Sequence, residues 1–145
     1  MSNQNETIRL LKECDAGVQM GIDSLEEVIG DLEQGNIRKI LQKSKQQHEE
    51  IKNKITEYLN VYKEEGKEPS AIAETMASMK EHMKMMMKDT KCAAADVIID
   101  GCHMGIKSIY RYLNQYPNAE QKVKQLVYDI VEVEEQLSRD LRCYL

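Results

Sequence analysis

Residues 90–113, TKCAAADVIIDGCHMGIKSIYRYL, decide how the rest of the chain is read. Stepping by four and three gives Cys92, Asp96, Ile99, His103, Ile106, Tyr110 and Leu113. That is the spacing of a helix stripe facing a bundle core. Two polar residues, Asp96 and His103, stand where apolar ones are expected. Any chemistry this chain performs is sought among such misplaced polar residues.

Working outward, the remaining segments repeat the pattern. Helix A is expected from Glu6 to Gln34, with Asn3 and Glu6 as a capping box. Its seam is Ile8, Leu11, Asp15, Val18, Ile22, Leu25, Ile29 and Leu32, with Asp15 as the intruder. Gly35 is read as its C-terminal cap and Asn36 as the start of helix B. Helix B runs to Glu65 along Ile37, Leu41, Ser44, His48, Ile51, Ile55, Tyr58 and Tyr62, and Gly66 ends it. Ser70 to Lys88 reads as a shorter crossover helix with the stripe Ile72, Met76, Met79, Met83 and Met86. Asp89 and Thr90 cap helix C, the opening stretch. Pro117 breaks the chain, and Asn118 with Gln121 caps helix D, which runs to Cys143. Its seam is Val123, Val127, Ile130, Glu134, Leu137, Leu141 and Tyr144.

Composition supports the same picture. The 145 residues fit one domain, 1–145, with no Phe or Trp, 9 Met, and only 7 Gly and 2 Pro. The net charge of −5 argues against a nucleic-acid surface. No apolar run is long enough to span a bilayer, and the first residues, MSNQNETIRL, lack the regions of a secretory signal. Cys14, Cys92, Cys102 and Cys143 form no CxxC pair and read as small buried hydrophobes. A cytoplasmic protein is expected.

The four long helices each span about 40 Å at about 1.5 Å per residue. Tight A–B and C–D links with a long B–C return predict an all-α, up-down-down-up four-helix bundle with an extra crossover helix. Gly17 with Gly21, and Gly101 with Gly105, suggest that A and C approach closely, since each mid-helix glycine costs about 1 kcal/mol.

Helix order, the crossover, and the run from Asp100 through His103 to Tyr110 together resemble the small bacterial domains of the ferritin-like superfamily. That resemblance implies a ferritin-like fold and, in its metal-bearing members, paired Glu-x-x-His motifs. Here position 45 is Lys45 rather than Glu, and helix D holds no histidine. The resemblance therefore implies the fold without standard di-iron oxidase or iron-storage chemistry.

Matching levels along the bundle brings His48, His103 and Glu134 within about one turn of each other, with Asp15 and Asp100 flanking. Tyr58, Tyr62 and Tyr110 gather at one end. Two readings stay open. One is a buried polar network in a binding or structural module, with no cofactor. The other is a non-standard iron, manganese or zinc site on His48, His103, Glu134, Asp15 and Asp100. Expected partners are a second copy of the chain, as a dimer, and a protein at the Met-rich crossover helix. Neither nucleic acid nor membrane is expected.

Overall fold

A computed structural model describes residues 3–67 and 89–145. All regular structure among them is helical: α1 (Gln4–Gly30), α2 (Asn36–Val61), α3 (Thr90–Gln115), α4 (Gln121–Leu141) and a closing 3₁₀ turn (Arg142–Tyr144). None of these helices is long and apolar enough to cross a membrane. The expected crossover helix, Ser70 to Lys88, with its Met stripe and partner surface, lies outside the described residues.

Contacts at one end fix the helix directions. The Asn3 N–H donates to the Asn118 carbonyl at 2.7 Å. Glu120 N–H donates to Thr7 Oγ1 at 2.8 Å, and Tyr62 Oη donates to Glu120 Oε2 at 2.7 Å. The start of α1, the end of α2 and the α3–α4 turn therefore meet. It follows that α1 and α4 run away from this end, and α2 and α3 run toward it. Each of α1 and α4 packs on both α2 and α3, while α1 and α4 sit diagonally and hardly touch.

Several helix ends depart from expectation. Asn3 does cap α1, its Oδ1 accepting from Glu6 N–H at 3.2 Å, but the box does not close. The Glu6 carboxylate instead accepts from Asn118 N–H at 2.6 Å. Asn118 is thereby engaged with α1 and does not cap α4, whose N-cap is Glu120, without a side-chain bond. Helix α1 stops at Gly30, short of Gln34. Its last N–H groups tighten, Asp31 onto Val28 and Leu32 onto Ile29, both at 3.1 Å. That turn swings Leu32 into the core, and Gly35 becomes the N-cap of α2. Asp89 caps α3 as expected, accepting from Lys91 and Cys92 N–H.

Helix α2 ends at Val61, before Glu65, and without glycine. Lys63 takes a left-handed φ of 58°, and the N–H groups of Lys63 and Glu64 return to the carbonyls of Asn60 and Leu59, each at 3.0 Å. This double return is a Schellman cap, with lysine where glycine is usual. Gly66 has a different task. A Cβ there would lie 2.0 Å from Asp15 Oδ2, because the chain after α2 runs back against α1. Lys67 N–H donates to Asp15 Oδ2 at 3.1 Å, and Lys52 Nζ pairs with Asp15 Oδ1 at 2.8 Å.

The core divides in two along the bundle. One cluster, near the α3–α4 turn, contains Leu10, Leu11, Val18, Ile55, Leu59, Val123 and Val127. The other contains Leu25, Ile37, Leu41, Ala94, Ile98, Leu137 and Leu141. Burying each such Val, Leu or Ile side chain is worth about 1.5–3 kcal/mol. Between the two clusters lie Ser44, His48 and Glu134.

Over much of α3 the inner face lies one residue away from the expected seam, although its Ile99 and Leu113 are buried as expected. Ala94, Ile98, Cys102, Ile109 and Leu113 are buried, whereas Asp96 is half-buried and His103 is exposed. Tyr110 is also exposed and does not join Tyr58 and Tyr62, which pack half-buried on the first cluster. Ala93 to Ala95 and Val97 to Ile99 are apolar on nearly every side, so the stripe has two near-equal directions. The one that keeps His103 in water prevails, because burying an unpaired imidazole is costly.

Candidate functional site

His48 is placed by a clean stripe on α2, one turn after Ser44 and one before Ile51. Its side chain is 2% exposed, and both ring nitrogens have partners. Nδ1 lies 2.7 Å from the Ser44 carbonyl oxygen, and Nε2 meets Glu134 Oε1 on α4 in a short contact. The carbonyl can only accept, so Nδ1 carries a proton. An ionised carboxylate also accepts, which favours a proton on Nε2 and the charged form of the ring. Burial pushes the His48 pKa down. The bond to Glu134, that residue's charge and the Ser44 carbonyl together outweigh burial and raise it above its ordinary value.

A groove lies over this pair, between α1 and α3. Its volume is about 330 Å³, and Gly17, Gly21, Gly101 and Gly105 all line it. The four glycines do not bring α1 and α3 together as expected. Among the described residues, a Cβ at Gly17 or Gly101 would meet nothing within 4 Å. At Gly21 it would lie 3.0 Å from His48 Cδ2 and 3.2 Å from Nε2, and at Gly105 it would lie 4.0 Å from Glu134 Oε2. Gly21 makes room for the imidazole, Gly105 borders the carboxylate, and the other two leave open space. The remaining walls are chiefly aliphatic, with Val18, Leu25, Ile98, Ile109 and Ile130, and Met20 and Met104 also line the groove. At one end Glu13 Oε1 accepts from Lys67 Nζ at 2.6 Å, beside Tyr112.

The thiols here are not nucleophiles. Burial, then the Glu134 charge, drives the Cys102 thiol upward. Burial, then Glu13 and Asp15, raises Cys14 to about 12. Both shifts disfavour the thiolate, the nucleophilic form.

Of the five residues expected to converge, two meet: His48 and Glu134. His103 is exposed on α3, with Nε2 3.3 Å from Ser138 Oγ. Asp15 is buried but engaged with Lys52 and Lys67, and Asp100 is exposed. Among the described residues, no group of three or more His, Cys, Asp or Glu could hold a metal ion. The groove itself was not foreseen. Its signal in the sequence is the glycine spacing, which fits either contact or space. Comparisons with protein-family models, curated proteins and solved structures found no match.

Proposed function

We propose that this chain is a helical-bundle binding module that takes a small molecule into the α1–α3 groove and carries out neither di-iron oxidation nor iron storage. One observation carries the reading: an apolar groove of about 330 Å³, floored by the His48–Glu134 pair and bordered by Gly17 and Gly101, which meet no other group among the described residues. Ligand pockets occupy roughly 300–1,000 Å³ and combine apolar walls with a few placed polar groups. A helix glycine costs about 1 kcal/mol against alanine, so its retention beside empty space suits a site that must stay open.

The ferritin-like arrangement is part of this proposal, supported by α2 and α3 running in the same direction between two antiparallel pairs. A cytoplasmic setting is supported by Cys14, Cys92, Cys102 and Cys143, all free thiols. Self-association is supported by Tyr110 and Tyr128, exposed on the outer faces of α3 and α4.

The test is native mass spectrometry with elemental analysis on protein purified without an affinity tag. The proposal expects a co-purifying organic molecule and substoichiometric metal. Stoichiometric iron or manganese, with turnover of oxygen or peroxide, overturns it in favour of the metal reading.

A further inference from the structure

The groove is long. Along α1 it extends from Glu13 to Leu25, and twelve residues at 1.5 Å give about 18 Å. Along α3 it extends from Ile98 to Tyr112, about 21 Å by the same rise.

The charges that border the groove cancel in pairs. His48 faces Glu134, and Lys67 faces Glu13. The other polar side chains on its walls are uncharged: the hydroxyls of Ser24, Ser108 and Tyr112 and the thiols of Cys14 and Cys102. An ionised head group would lose its hydration and find no unpaired counter-charge, a costly exchange. A hydroxyl would lose far less and has hydroxyl partners. Met20 and Met104, unbranched and adaptable, suit a ligand of variable contour. Resting on the reading of the groove as a ligand site, we infer that its ligand is an uncharged, elongated and largely apolar molecule with at most a hydroxyl-type head.

The experiment compares 1-dodecanol, dodecanoate and dodecylammonium, each below its micelle concentration, by calorimetric titration of the full chain. Gly101→Leu and Gly17→Leu, which project into the open part of the groove, serve as filled variants. The expected result is that dodecanol binds at least about tenfold more tightly than either ion, and that each filled variant loses about tenfold or more while its Tm is kept. If either ion binds as well as dodecanol, this inference fails and the ligand-groove reading stands. If no probe binds and the untagged protein carries no organic molecule, both fail. If no probe binds and the filled variants lose several degrees of Tm, the space is needed for the chain's own packing, and the inference is overturned.

Discussion

His48 on α2 and Glu134 on α4 meet between the two halves of the core, and the same imidazole returns its other nitrogen to the Ser44 carbonyl. One side chain thus joins two helices that are not consecutive in the chain, at the level where apolar packing is interrupted. Groups buried in this way are costly when unpaired and tolerable when every polar atom is engaged.

The pair makes stability depend on pH in a defined direction. The His48 pKa is raised in the folded chain above its ordinary 6.5. Its contribution is therefore complete below the unfolded value and is lost as pH rises through the folded value. The Tm gap between the wild type and His48→Gln should be widest below the ordinary histidine pKa and shrink as pH rises above it. Calorimetry across that range checks it. A gap that widens with rising pH means the imidazole is buried neutral.

Gly66 is expected to be intolerant for a reason far from its own sequence neighbours. A Cβ there overlaps the Asp15 carboxylate, 2.0 Å from Oδ2 and 2.8 Å from Cγ, and that carboxylate is held by Lys52 and Lys67. Gly66→Ala should cost about 1–3 kcal/mol in urea unfolding. In an Asp15→Ala background the added cost should fall below about 0.5 kcal/mol, since the obstacle is gone. Equal costs in both backgrounds would disprove the contact.

Two glycines on one helix face should respond differently. Gly17→Ala meets open space and gains helix propensity, up to about 1 kcal/mol. Gly21→Ala presses on the His48 ring at 3.0 Å, and that ring is pinned at both nitrogens. It should therefore be neutral to destabilising despite the same propensity gain. Thermal unfolding of the two variants, side by side, distinguishes this from a uniform helix effect.

What the sequence made legible follows from how clean each stripe is. On α2, Ile37, Leu41, Ser44, His48, Ile51 and Ile55 are all buried as read, because their flanks are charged and the stripe has one direction. On α4, Val123, Val127, Ile130, Leu137 and Leu141 behave likewise, and Glu134 stands out as a single intruder. The His48–Glu134 encounter could be read from those two patterns and the helix lengths. On α3 the excess of alanine and β-branched residues blurred the direction, which moved His103 from core to surface. Asp15 was correctly read as buried, but its partner Lys67 follows a Schellman turn with no glycine to announce it. The groove depends on the spacing between α1 and α3, which no local pattern encodes.

The central claim is that His48 and Glu134 stabilise each other across the floor of the groove. A double-mutant cycle with His48→Ala and Glu134→Ala, followed by urea unfolding, tests it most directly. The account predicts that each single change leaves a buried partner unsatisfied and that the two are coupled by about 1.5–3 kcal/mol. Single costs that simply add, within about 0.5 kcal/mol, would contradict it.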